Sequence, residues 1–83
     1  MVLDVLYFAW VRERIGLGRE RVETTAVTVA DLVAELSARE ERYALAFADL
    51  KSLRVALDQD LAEFSAPLAG VREVAFFPPM TGG

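Results

Sequence analysis

The chain has 83 residues, no cysteine and no histidine, and its 9 Lys+Arg against 13 Asp+Glu leave a net charge of −4. These counts leave room for one small domain and remove disulfides, thiolate nucleophiles and zinc-thiolate or iron–sulfur sites, along with the usual neutral-pH general base and the commonest transition-metal ligand. A pI of about 4.7 opposes phosphate-backbone binding to nucleic acid, and a hydrophobic content of 54% is too high for disorder.

The apolar start, residues 1–11, lacks a basic leader, carries Asp4 and is too short to span a membrane, so it reads as a strand in a cytoplasmic protein. Period-2 alternation over residues 3–10 separates Leu3, Val5 and Tyr7 from Asp4, Leu6 and Phe8. Asp4 marks the second set as the face turned from the core. Large apolar groups beside a charge suggest that this face is covered, by a partner for example. Residues 11–18 read as a helical turn and loop ending in Gly16 and Gly18, and residues 19–26 as a second strand.

Thr28 opens the clearest helix. Its hydroxyl can cap the amide of Asp31 while Asp31 reaches back, and Val29, Leu32, Val33 and Leu36 form one apolar stripe. Residues 40–50, with Tyr43, Leu45, Phe47 and Leu50, fit either a short second helix or a packed loop. A third strand is expected over 53–58, a turn at Asp58–Gln59–Asp60, a short return strand over 61–65, a loop over 66–70 and a last strand over 71–77. Pro78 and Pro79 then remove ladder donors. Strand, strand, helix, strand, short strand, strand describes an α+β domain: a mixed sheet with one main helix packed on one face, as in the ubiquitin-like β-grasp roll. The expected division is residues 1–77 as the domain and 78–83 as a flexible tail.

That tail is Pro78-Pro79-Met80-Thr81-Gly82-Gly83. Two prolines favour an extended segment reaching roughly 15 to 20 Å, enough to enter a pocket on another protein. The glycines at its tip carry no Cβ and can thread a narrow channel. The only reactive group there is the Gly83 carboxylate, a poor electrophile until it is activated, for example as a mixed anhydride with a nucleotide. A tail of this kind is a carrier arm whose catalytic residues lie elsewhere.

The run from Glu73 through Phe76-Phe77-Pro78-Pro79-Met80-Thr81-Gly82-Gly83, with Val5-Leu6-Tyr7-Phe8-Ala9, Arg12-Glu13, Thr28-Val29-Ala30-Asp31-Leu32 and Val55-Ala56-Leu57-Asp58-Gln59, resembles nearly end to end the small subunits of molybdopterin synthase, sulfur carriers of the ubiquitin-like family. Two departures from the family pattern stand out. Val71-Arg72 stand where Gly-Asp is usual, with Gly70 one place earlier, and Asp58 replaces the usual Asn.

The resemblance implies that an ATP-dependent, E1-like activating enzyme adenylates Gly83. A sulfur donor system then converts it to a thiocarboxylate, and the loaded arm inserts into the large synthase subunit. There the sulfur passes to a cyclic pyranopterin monophosphate, with two of each subunit in the usual assembly. The chain itself would be a non-catalytic donor subunit with no tightly bound cofactor and no metal; ATP belongs to the activating enzyme. Pro78, Pro79, Met80, Thr81 and Gly82 would be the threading residues. Phe8, Leu61 and Phe77 either close the roll or, as in the family, meet the partners; Arg12 either pairs across that interface or is solvated. Rival readings are a carrier for thiazole or tRNA thiolation, a ubiquitin-like modifier joined through Gly83 to lysines, and a binding module with an inert tail.

Overall fold

A computed structural model describes residues 1–79. Its elements are β1 (Val2–Tyr7), α1 (Ala9–Ile15), β2 (Arg19–Glu23), α2 (Val29–Arg39), α3 (Glu41–Ala46), a 3-10 turn (Leu50–Ser52), β3 (Arg54–Leu57), β4 (Asp60–Ala62) and β5 (Glu73–Phe77). The sheet order is β2-β1-β5-β3-β4. β1 and β5 run parallel at its centre, and the other neighbours are antiparallel. This is the mixed-sheet α+β roll that the pattern predicts.

One face of the sheet carries the core. Leu3, Val5 and Tyr7 of β1 alternate inward and meet Val22, Val55, Val74 and Phe76 from the neighbouring strands. The helices supply the other wall through Val11 and Ile15 of α1, the Val29–Leu32–Val33–Leu36 stripe of α2, and Tyr43 and Ala46 of α3. Hydrophobic burial drives this assembly, and the period-2 and period-3.6 patterns decide which residues take part. α2 begins where the capping box places it: Thr28 Oγ1 accepts from the Asp31 amide and Asp31 Oδ2 from the Thr28 amide, both at 3.2 Å. The remaining free amides of its first turn also find partners. Val29 and Ala30 donate to Ala66 and Phe64 carbonyls, so the loop expected over 66–70 helps cap this helix.

Several boundaries differ from the sequence reading. The first strand stops at Tyr7, because Phe8 becomes the N-cap of α1 and Ala9 turns left-handed at φ 54°. Trp10 therefore lies on a helix. The helical turn expected within residues 11–18 belongs to a longer, seven-residue helix that starts at Ala9, and its Val11 and Ile15 sit one turn apart on the buried side. Gly16 ends it in the left-handed region, φ 87°, with its amide on the Arg12 carbonyl at 2.8 Å. β2 ends early because the Thr24 hydroxyl accepts the Ala26 amide at 2.9 Å and itself donates to Glu35 of α2. Residues 40–50 resolve into α3, a turn around Phe47 and the 3-10 turn.

β5 starts at Glu73 because its entry is held from the side. Asp58 and Gln59 take left-handed backbones, φ 49° and 73°, to turn β3 into β4. From that turn Asp58 Oδ1 accepts the amides of Arg72 at 3.0 Å and Glu73 at 2.9 Å. The carboxylate at 58 thus holds the backbone where the chain passes from Arg72 into β5.

Candidate functional site

The sheet face away from the helices is the candidate site. Residues directly opposite across a ladder share a face. The pairs Leu6↔Arg19, Leu6↔Ala75, Ala75↔Ala56 and Ala56↔Leu61 therefore make one row across all five strands. Its middle is a low apolar floor, because Ala75 and Ala56 are small and sit almost out of solvent without belonging to the core cluster. Leu61 stands at one end of this floor, 75% exposed. Two residues further along β5, Phe77 pairs with Arg54. Phe8 extends the parallel β1–β5 ladder beside it, donating its amide to the Phe76 carbonyl at 3.1 Å.

Toward the opposite end of the same face the character changes. Asp4 lies between Arg19 and Arg21, 3.6 Å from each, and Glu73 is its neighbour on β5. The face is thus apolar at one pole and charged at the other. Screened pairs of this kind add little stability.

The contact residues expected from the sequence come together unequally. Phe8 and Phe77 are adjacent, though Phe8 reaches the face as a helix cap and Phe77 is half-buried. Leu61 joins them across the Ala75–Ala56 floor. Arg12 lies apart, exposed on α1 with its guanidinium folded over Gly18: a Cβ at position 18 would meet Arg12 Nε at 3.2 Å. Sequence reasoning missed Ala56 and Arg54, although alternation against Leu53, Val55 and Leu57 places both on this face.

The tail leaves from the apolar pole. β5, the middle strand of the five, ends at Phe77 and passes into Pro78 and Pro79, both half-buried. Met80, Thr81, Gly82 and Gly83, the remaining tail residues named from the sequence, lie outside the described residues.

Behind the face, on the core side of the same region, one carboxylate holds two tyrosines. Tyr7 and Tyr43 both donate to Glu20 Oε2, at 2.8 and 2.6 Å, while Arg39 Nη2 lies 3.5 Å from Glu20 Oε1. Burial first, and then the hydrogen bond to Glu20, pushes both phenols above their ordinary range, Tyr43 to about 12. Neither phenol serves as an acid or base near neutrality. Among the described residues no group of three or more Asp and Glu is placed to hold a metal ion, and no helix is long and apolar enough to cross a membrane. A concavity of about 370 Å³ lies between α1 and α3, lined by Trp10, Arg14, Leu45, Asp49 and Ser52 among others. The apolar floor of the open face is a surface on which another protein can dock.

Comparison with known proteins agrees in extent. The ThiS family model matches residues 5–83. The molybdopterin synthase sulfur carrier subunit of Escherichia coli is 44% identical over 82 residues, covering 99% of this chain and 100% of that protein. The protein of the same name from Haemophilus influenzae is 37% identical over the same span, with the same coverage. Among solved structures, the crystal structure of SAMP1 from Haloferax volcanii superposes with a TM-score of 0.77 at 25% identity, covering 100% of both chains.

Proposed function

The chain belongs to the ThiS family, and from that premise we propose that it is the sulfur-carrier subunit of a molybdopterin synthase, acting in the cytoplasm. Its reacting group is the Gly83 carboxylate. An E1-like enzyme joins it to the α-phosphorus of ATP with loss of pyrophosphate, making an acyl adenylate. A sulfur nucleophile from a donor system displaces AMP and leaves a thiocarboxylate. That sulfur, anionic and nucleophilic at neutral pH for the same reason as a thiolate, attacks a carbon of the cyclic pyranopterin monophosphate inside the large subunit and takes the place of an oxygen substituent, which departs with the electrons of its C–O bond. Water then cleaves the acyl–sulfur bond, leaving sulfur on the pterin and restoring the Gly83 carboxylate. Two transfers complete a dithiolene, so each product requires two loaded carriers or one reloaded carrier.

The observation that carries this reading is where the tail is rooted. The central strand β5 ends at Phe77, on the apolar pole of the open sheet face, and runs into Pro78 and Pro79 with four residues still to come. A partner that covers Phe8, Phe77 and Leu61 receives the arm at the edge of the same contact. The lack of histidine and cysteine in this sequence fits a division of labour in which the large subunit supplies the acid–base chemistry.

The test is reconstitution. The chain is loaded by the activating enzyme with ATP and a sulfur donor, its intact mass is measured, and it is mixed with the large subunit and the pterin precursor. The expected results are a mass gain equal to replacing one oxygen by sulfur, then dithiolene product with return to the carboxylate mass. A carboxylate mass throughout would overturn the carrier role. A loaded chain that yields no dithiolene would overturn the molybdopterin assignment in favour of thiazole or tRNA thiolation. Covalent ladders on other proteins would instead indicate a modifier.

A further inference from the structure

Each outer-face ring is the chain neighbour of a core ring: Phe8 follows Tyr7, and Phe77 follows Phe76. Tyr7 and Phe76 face each other in the β1–β5 register and stack with centroids 6.2 Å apart and planes 12° apart. Phe47 closes on Phe76 edge-on at 4.9 Å, and Tyr43 meets Tyr7 edge-on at 6.3 Å. Aromatic packing alone leaves a stack free to slide, since offset geometries over a range of separations are close in energy. The hydroxyl of Tyr7 removes that freedom by ending on Glu20 Oε2, the same oxygen that takes the Tyr43 hydroxyl.

A carboxylate is an expensive way to fill this position. Its side chain is only 14% exposed, and burying charge in a core is weak evidence for stability, because apolar residues of similar volume often serve as well or better. What the carboxylate adds is connection: Glu20 and the two tyrosine hydroxyls form a network in which each hydroxyl has its acceptor. Such a network favours one arrangement of the elements over near alternatives. The elements it ties are β1 through Tyr7, β2 through Glu20 itself, α3 through Tyr43 and α2 through Arg39.

The structure assigns Glu20 a positioning role: by tethering Tyr7 and Tyr43 it fixes the Tyr7–Phe76 stack, and through it the placement of Phe8, Phe77 and the root of the tail. This rests on the reading of Phe8 and Phe77 as partner contacts. It adds that their geometry is set from the core side of the sheet, by a residue that lies on the opposite face from Phe8 and Phe77.

Two variants of the full chain test it, E20Q and the pair Y7F/Y43F, the second keeping ring volume should the first fold poorly. The first readout is native-state amide exchange in the free protein. The Phe8 amide, which bonds to the Phe76 carbonyl, is expected to exchange about tenfold faster relative to the α2 amides of Leu32 and Leu36, which follow global opening. The second is affinity for the large synthase subunit by calorimetry. It is expected to weaken about three- to thirtyfold, the range for residues coupled to a site without contacting it. In E20Q the further substitution F77A is expected to lose less affinity than it does in the wild type.

Exchange at Phe8 that merely scales with the α2 amides would reduce Glu20 to a structural residue and overturn the proposal. So would strict additivity of E20Q and F77A. If the wild-type chain does not bind the large subunit, the partner reading fails while the exchange measurement still decides the positioning role.

Discussion

Replacing Leu61 with alanine separates docking from folding more cleanly than any other change on the open face. Leu61 is 75% exposed, so the fold gains little from it, and a surface truncation of this kind shifts stability by no more than about 0.5 kcal/mol. A partner covering it would gain much more. Burying a whole leucine side chain contributes about 1.5–3 kcal/mol, and three quarters of the residue is still open to solvent, leaving about 1–2 kcal/mol for the complex. At 1.4 kcal/mol per decade, L61A should weaken affinity for the large subunit by about five- to thirtyfold while the urea midpoint stays in place. The matched control is V27A. Val27 is 68% exposed but sits in the segment between β2 and α2, off the open face, and its loss should leave affinity within about twofold. Calorimetry with the large subunit and urea melts of the free variants supply both numbers. Equal losses of affinity for L61A and V27A would refute the assignment of this face, as would an L61A affinity loss matched by an equal loss of stability.

Three further outcomes follow from the described geometry. D58A should lower stability by about 1–3 kcal/mol in urea, from two lost N–H bonds to a charged acceptor and an alanine forced left-handed. D58N, which keeps an acceptor and tolerates that backbone, should cost less than about 1 kcal/mol, and equal effects would contradict the role given to the Asp58 carboxylate. Raising the pH should destabilise the chain through Tyr7 and Tyr43. Their folded-state pKa values are raised above the unfolded value near 10, so the contribution is intact below pH 10 and is lost above it, for Tyr43 as pH climbs toward about 12 and for Tyr7 beyond that, at about 1.4 kcal/mol per pH unit for each phenol that ionises only on unfolding. Y43F should reduce that slope in pH-dependent denaturation; an unchanged slope would deny that Tyr43 stays protonated in the fold. Finally, A9G should hold or raise stability, since glycine adopts the φ of 54° at Ala9 without the left-handed penalty; a loss above about 1 kcal/mol in urea would show that the Ala9 methyl is needed.

What was legible in the sequence was whatever the local chain decides for itself. The capping box at Thr28 and the stripe behind it required no partner to be recognised, and the alternation of Leu3, Val5 and Tyr7 against Asp4 and Leu6 assigned both faces of β1. The face became a site only through pairings distant in sequence. Ala56 and Ala75 are ordinary alanines until register sets them side by side as a floor between Leu61 and Leu6. Residues 9–15 were legible only as a helical turn, for a different reason: the charges of Arg12-Glu13-Arg14 hid an apolar repeat only two residues long, so the full length of the helix was not visible. Glu20 was invisible because a lone glutamate in a charged edge strand looks solvated, and only the fold brings Tyr7 and Tyr43 to the same oxygen.

Asp58 and the segment before β5 bear on the root of the tail as much as on the turn. β5 is held at its start by Asp58 on the Arg72 and Glu73 amides, along its length by β1 and β3, and near its end by the Phe8 amide on Phe76. A strand gripped at both ends and on both sides gives the arm a rigid base, and rigidity there lowers the ordering cost of docking. Gly70, at φ 78° with open space where a Cβ would stand, lets the chain swing from the fully buried Leu68 back into line with β5. The turn into the strand thus needs its glycine at 70 and a side-chain acceptor at position 58. V71G should therefore gain no stability in urea, because the amides that Asp58 holds belong to residues 72 and 73; a gain above about 1 kcal/mol would contradict this account.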